Sequence, residues 1–289
     1  MQMPKHRKGQ IVFDRVMIVD WSAGNQSPVR PVKDAIWLGE AGRKPAYLRN
    51  RALAEAALHA RIRQTLEADQ NALIGFDFPF GYPDGFLQAV TGGDDPLALW
   101  DWLEARIEDA PKTNNRFDVA AAMNRSLVQG LGPFWGNGLR REIPGLGKTK
   151  AGYQNPFPDR RKCELQAKGA FTCWQLAGAG AVGSQVLMGL PVLARLRRAF
   201  PDQIAVWPFE PLDRPIAFVE IWPSLIDPAV KAATGPQGIR DAVQVTLLAK
   251  ALAGIPSNVL TSLLDVNAPV EGWIAGLGFE KALIDAAQA

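Results

Sequence analysis

Four carboxylates occupy places where a side chain could do chemistry. Asp20 follows the apolar run Val16-Met-Ile-Val19, and Asp77 follows Ala72-Leu-Ile-Gly-Phe76. Glu220 lies within Phe218-Val-Glu-Ile-Trp222, and Asp241 opens the apolar pattern that starts at Ile239. A carboxylate at the end of a buried strand is costly to desolvate unless a cation or hydrogen-bond donors meet it. Convergent carboxylates of this kind suit two-metal phosphoryl chemistry, in which one divalent ion activates water and the other stabilises the leaving oxygen. An all-oxygen ligand set of Asp20, Asp77 and Asp241 favours Mg²⁺ or Mn²⁺ over zinc. Each carboxylate also has a plain structural explanation: an N-cap for Asp20, an Asx-turn for Asp77, a helix cap for Asp241, an arginine pair for Glu220.

Other catalytic chemistries have little to work with. The 289 residues include two histidines, His6 near the N-terminus and His59 in a polar, Ala-rich helical stretch, and two cysteines, Cys163 and Cys173. A Ser-His-Asp or Cys-His mechanism would have to rest on His59, and two cysteines cannot build a zinc site alone. Sparse cysteine points to a reducing, cytoplasmic setting. No run of eighteen apolar residues occurs, so no membrane span is expected. A net charge of +3 permits nucleic acid as a partner without requiring it.

The elements that must position the carboxylates follow from periodicity. Val16–Asp20, Ala35–Leu38 and Ala46–Leu48 read as three strands with short connections, hence an antiparallel meander. Arg51 to Asp69 carries Leu53, Ala57, Leu58, Ile62 and Leu66 at helical spacing, and the strand ending at Asp77 follows it. Helical patterns follow over 97–108, 116–131, 162–176 and 184–199, interrupted by a Gly/Pro-rich segment from Gly132 to Asp159. Strands resume at Ile204–Pro208 and Ile216–Pro223, then helices at 239–253 and 270–287. The predicted fold is α/β: a mixed sheet, antiparallel meander plus parallel strands, with a large helical insertion. Three antiparallel strands followed by strand-helix units is the order of the ribonuclease H-like fold, and also of half an actin-like kinase. The expected organisation is one domain over 9–289, with 84–203 as the insertion and 1–8 as a disordered basic tail.

Between Trp135 and Lys168 there are eight Lys or Arg against three Asp or Glu, interleaved with Trp135, Tyr153 and Phe157. Such a loop suits a phosphodiester backbone, with Arg160, Arg161 and Lys168 as the expected phosphate contacts. Arg161 and Glu164, three apart, could instead pair with each other. Ser22, in the turn after Asp20, is a further candidate for substrate contact. Gly145-Leu-Gly-Lys-Thr149 lacks the first glycine of a P-loop. Gly178-Ala-Gly-Ala-Val-Gly183 matches a dinucleotide fingerprint but follows no convincing strand.

The motifs Val19-Asp-Trp-Ser-Ala23, Gly75-Phe-Asp-Phe-Pro-Phe-Gly81, Arg160-Arg-Lys-Cys-Glu164, Val219-Glu-Ile-Trp-Pro-Ser224 and Arg240-Asp-Ala242 together resemble domain-of-unknown-function family 429. That resemblance, from Val16 to about Ala253, implies a nuclease of ribonuclease H-like fold. It implies Asp20, Asp77 and Asp241 as metal carboxylates, with Glu220 and Glu164 as neighbours. The first long helix offers only Glu55 where ribonuclease H itself has an acid, which suits the resolvase-like branch better. The expectation is a divalent-metal-dependent phosphoester hydrolase, a nuclease acting on DNA or RNA by two-metal-ion hydrolysis. The alternatives are an actin-like nucleotide-binding kinase, with Asp20–Gly24 touching phosphate, and a catalytically inactive binding protein on the same fold. Oligomeric state is left open.

Overall fold

The computed structural model describes residues 11–289, so the tail expected over 1–8 lies outside them. The chain forms two compact units, one from residues 11–77, Leu196–Asn267 and Ile274–Ala289, the other from Phe78–Arg195 and Ala268–Trp273. In chain order the first unit supplies β1 (Arg15–Asp20), β2 (Ile36–Glu40), β3 (Ala46–Leu48), α1 (Arg51–Glu67) and β4 (Ala72–Phe76). The second supplies α2 (Phe86–Thr91), α3 (Pro96–Glu104), the hairpin β5 (Asp109–Ala110) and β6 (Thr113–Asn114), α4 (Arg116–Leu127) and α5 (Lys162–Gln166). The helix α6 (Val182–Ala199) leads back to β7 (Ile204–Val206), β8 (Ile216–Glu220), α7 (Asp227–Ala233), α8 (Arg240–Gly254), α9 (Ser257–Leu264) and α10 (Glu280–Gln288).

In the first unit the strands form one sheet in the order β3-β2-β1-β4-β8-β7. The β1–β2 and β2–β3 pairs are antiparallel, and β1–β4, β4–β8 and β7–β8 are parallel, giving the mixed α/β sheet that the periodicity predicts. Alternation assigns the faces. One face carries Ile18, Asp20, Gly39, Gly75 and Val219, and α8 packs on it. A Cβ at Gly39 would lie 2.5 Å from the Val245 carbonyl oxygen, so the helix backbone rides directly on β2. The other face carries Arg15, Met17, Val19, Phe76 and Phe218, the last two edge to face at 5.2 Å. There α1 docks through Ala54, Leu58 and Ile62, which are fully buried. The α1 N-terminus is capped by Asn50, whose side chain accepts the Leu53 N–H at 2.9 Å.

The second unit is built around aromatic side chains: Tyr82, Phe86, Phe134, Phe157 and Trp174 pack ring against ring. The Gly/Pro-rich segment has almost no regular structure but is not loose. Buried Asn124 donates to the Phe134 and Gly145 carbonyls and accepts the Phe134 N–H, so one amide fastens both ends of that loop.

Several helices differ from the sequence expectation for local reasons. The helix expected over 162–176 stops at Gln166, close before Gly169 at φ 95°. The C-terminal helix starts at Glu280 because Gly276 and Gly278 adopt positive φ just before it. Two short helices, α7 and α9, each follow a proline-marked turn that reads as a stop in sequence. Among the described residues no single helix is long and apolar enough to cross a membrane.

The close approach at Gly39 yields a prediction. Gly39→Ala must push α8 off β2 and should destabilise the fold by about 1–3 kcal/mol. Urea unfolding monitored by tryptophan fluorescence checks this, and an unchanged midpoint would contradict the packing.

Candidate functional site

The site is set by a register. Val19 of β1 pairs with Phe76 of β4 in parallel, so the next residues, Asp20 and Asp77, emerge side by side on one face. Each carboxylate is held by a donor. The Trp21 N–H donates to Asp77 Oδ1 at 2.6 Å, and Gln244 Nε2 donates to Asp20 Oδ2 at 2.7 Å. The two carboxyls are close neighbours, so the charge of Asp20 makes Asp77 harder to ionise. Asp20 is 8% exposed.

The helix α8 brings Asp241 to the same place. Asp241 is the second residue of α8, inside the first turn, where the helix dipole favours a negative charge. Its Oδ2 accepts the Asp34 N–H at 2.6 Å. Asp34 sits just before β2 in the left-handed region, at φ 57°, a conformation that aspartate tolerates better than most residues. The Asp34 carbonyl accepts the Ser22 hydroxyl at 2.9 Å, and Ser22 Oγ in turn accepts the Gly24 N–H at 3.2 Å. Buried Arg51, at the start of α1, donates to the Ser22 and Gly24 carbonyls at 3.0 and 2.6 Å. The turn after β1 is thus tied to α1, to the start of β2 and, through Asp34, to α8.

The electrostatics follow from this crowding. Burial, then the charge of Asp241, push the Asp20 carboxyl up from 3.8 to about 7. Burial and the charge of Asp20 hold Asp77 well above the usual carboxylate range. Asp241 is raised by burial and by Asp34, against the opposing pull of the Asp34 N–H. Asp34 therefore belongs to the constellation, as does Gln244, and neither stands out in the sequence. Signals for both exist: a β1–β2 hairpin brings the residues before β2 to the exit of β1, and Gln244 lies three after Asp241, on the same helix side.

Would these groups suit a divalent cation? Among the described residues no three Asp, Glu, His or Cys side chains are grouped as a metal cage. The Asp20–Asp77 pair is nevertheless a hard-oxygen donor set whose mutual repulsion a positive charge would relieve. Magnesium is commonly held by one or two carboxylates with waters and substrate phosphates, and such a pair fits that mode.

Other predicted site residues are placed elsewhere. In the β4–β8 register Glu220 pairs with Phe76, so it projects from the face opposite to Asp20 and Asp77, where it is buried. The expectation that it joins the aspartates does not fit, because it is one residue out of phase with them. Arg161 is 1% exposed. Its Nε donates to Glu164 at 2.8 Å and its Nη1 to the Glu271 carbonyl at 3.1 Å, so it is an internal tie of the second unit rather than a phosphate contact. Arg160 donates to the Ala170 carbonyl and is half-buried, whereas Lys168 is exposed and forms no ion pair among the described residues. In the basic loop Lys150 Nζ lies 5.4 Å from the Trp135 ring centre and 5.1 Å from that of Tyr153. Arg140 and Lys148 are exposed there with no acidic partner among the described residues, while Arg141 pairs with Asp118 at 2.6 Å. The glycines of 178–183 serve packing: a Cβ at Gly183 would lie 2.2 Å from the Cys173 carbonyl oxygen. No family model, curated protein or solved structure matches the chain.

The raised Asp20 value has a consequence for stability. A carboxyl at 3.8 in the unfolded chain and about 7 in the folded one binds its proton more tightly when folded. Its contribution is full below pH 4 and is lost as pH rises through 7, a penalty on the order of 4 kcal/mol by pH 8. Asp20→Asn, which keeps an acceptor for Gln244, should therefore raise the melting temperature at pH 8 and change it far less at pH 4.5. Thermal melts across that range decide; a uniform loss of stability would contradict the assignment.

Proposed function

We propose that the chain is a divalent-metal-dependent phosphoester hydrolase, a nuclease on a ribonuclease H-like fold related to domain-of-unknown-function family 429. The observation that carries this reading is the pairing of Asp20 and Asp77 on adjacent parallel strand ends, with Asp241 delivered over the same face by α8. The strand order β3-β2-β1-β4-β8, with an antiparallel first half and a parallel second, supports the fold reading. An actin-like kinase needs a second sheet of similar build, and among the described residues the other sheet is the short β5–β6 hairpin.

In this reading Asp20 and Asp77 hold Mg²⁺ or Mn²⁺, with Asp241 as the carboxylate for a second ion of a two-metal pair. When bound, the metal supplies a nucleophilic hydroxide and charge stabilisation at the phosphoryl oxygens. The chain's own residues do the positioning. Gln244 and the Trp21 amide each fix one carboxylate oxygen, which presets the orientation of both aspartates before anything binds. The Asp34 amide does the same for Asp241. Ser22, on the turn tied down by Arg51, lies at the rim where a substrate phosphate would approach. The exposed cations Arg140, Lys148 and Lys168 and the rings of Trp135 and Tyr153 give the second unit a nucleic-acid-binding character, through charge neutralisation and base stacking.

A metal-free reading has one specific observation in its favour, the adjacency of Asp20 and Asp77 at paired strand ends. Paired carboxyls sharing a proton can serve as general acid and base. Cleavage that survives EDTA would select it.

The test is hydrolysis of single-stranded DNA, duplex DNA and RNA with Mg²⁺, Mn²⁺ or EDTA. Asp20→Asn and Asp77→Asn should each lower the metal-dependent rate at least about a hundredfold, the loss of several kcal/mol of transition-state stabilisation. Glu220→Gln, on the far face, should stay within about threefold of wild type, well short of 1 kcal/mol. Wild-type protein inactive on all three substrates with either metal would refute the nuclease assignment.

A further inference from the structure

The opposite end of the sheet carries a second charged cluster of reversed sign. Glu40, at the end of β2, is 5% exposed and is approached by three guanidinium groups. Arg15 donates to Glu40 Oε1 through Nε at 2.8 Å and Nη2 at 2.6 Å. Arg61 Nη1, from α1, donates to Glu40 Oε2. Arg43, from the β2–β3 turn, places Nε 3.4 Å from Oε1. The third Arg15 nitrogen, Nη1, is taken by Thr65 Oγ1 at 2.8 Å and the Arg61 carbonyl at 3.4 Å.

The charge count does not close. Three arginines meet one carboxylate, and exposed Lys44 adds a fourth cation on the same turn. Arg15 is buried and its donors are used. Arg61 and Arg43 are different, with side chains 25% and 61% exposed. Arg61 keeps Nε and Nη2, and Arg43 keeps Nη1 and Nη2, without partners among the described residues. A shared anchor therefore holds two guanidinium forks beside each other with their spare donors free. Guanidinium forks match the oxygens of a phosphate in bidentate geometry, and a dianion would balance the surplus.

We propose that Arg43 and Arg61, with Lys44, form a phosphate-binding site anchored on Glu40. It is separate from the aspartates. Arg15 and Glu40 project from the α1 face, whereas Asp20 projects from the α8 face. Arg15 lies five residue steps from Asp20 along β1, about 17 Å at the usual strand rise. The proposal therefore does not rest on the nuclease reading and can fail independently of it. The phosphate can be a free phosphate ion or a phosphodiester of a polynucleotide, and the test separates the two.

Wild type, Arg43→Gln, Arg61→Gln and the double variant are titrated at constant ionic strength in EDTA. Inorganic phosphate is followed by calorimetry and a short oligothymidylate by fluorescence anisotropy, with Asp20→Asn as a control. Circular dichroism verifies folding, and the exposed Arg43 variant keeps the test usable if Arg61→Gln is destabilised. Phosphate binding that weakens about tenfold for each guanidinium removed, and is unchanged in Asp20→Asn, supports a free-phosphate site. Oligothymidylate binding that weakens in the same variants, with no phosphate heat, supports a phosphodiester site. If wild type and the Arg43 variant bind both probes equally, or wild type binds neither, the proposal fails.

Discussion

Two carboxylates are placed side by side in a partly dry environment at the ends of β1 and β4, and much of the first unit is arranged around tolerating them. Two buried like charges on adjacent strand ends cannot both be ionised cheaply, so both carboxyls are raised above the usual range. The surroundings provide neutral donors rather than cations: the Trp21 amide, the Gln244 side chain and, for Asp241, the Asp34 amide. The nearest guanidinium in the network, Arg51, is directed at two carbonyls. Arg240, beside Asp241 in sequence, is paired with Asp227. No cation acts on Asp20 or Asp77 among the described residues, whereas the charge of Arg240 partly offsets Asp241. Stability is surrendered locally, and the apolar faces of the sheet offset it.

The close contacts of the sheet serve the same placement. Gly39 lets the α8 backbone sit on β2, and Gly75 leaves room between Ile18 and Ile221, whose carbons would lie 2.8 Å from an added Cβ. Any larger residue at Gly39 would lift α8 and, with it, Gln244 and Asp241. At the other end of β1 the balance is reversed, with one buried glutamate and more cations than it can neutralise. A sheet whose two ends carry unbalanced charge of opposite sign presents two different surfaces to anions and cations, although the chain as a whole is close to neutral at +3.

Much of this layout was legible in the sequence because it rests on apolar runs and their punctuation. The runs ending at Asp20 and Asp77 are continuous enough to mark central strands, and the short connections between β1, β2 and β3 dictate antiparallel pairing. What escaped depends on three-dimensional register. Glu220 looks equivalent to Asp77 as an acid at a strand end, but one residue of phase puts it on the other face. Asp34 lies in a polar turn and reads as solvated, and its role comes from its backbone N–H, which has no side-chain signature. Arg161 reads as a surface cation in a basic loop, yet it is buried because Glu164 and the Glu271 carbonyl satisfy it. Glu271 itself arrives from a distant part of the chain, and no local pattern predicts that.

The protonation pattern also constrains how the site could take up a cation. Asp241 sits in the first turn of α8, where burial raises its carboxyl while the dipole and the Asp34 amide favour its ionised form. Asp20 is pushed up to about 7, and Asp77 is held well above the usual carboxylate range. Burial and mutual repulsion therefore oppose full ionisation of the three acids. A cation placed between the two carboxylates would favour full ionisation of the pair by relieving their repulsion. Metal uptake at this pair would be accompanied by proton release and would strengthen as pH rises. A merely structural carboxyl pair, satisfied by its own proton, would show neither behaviour.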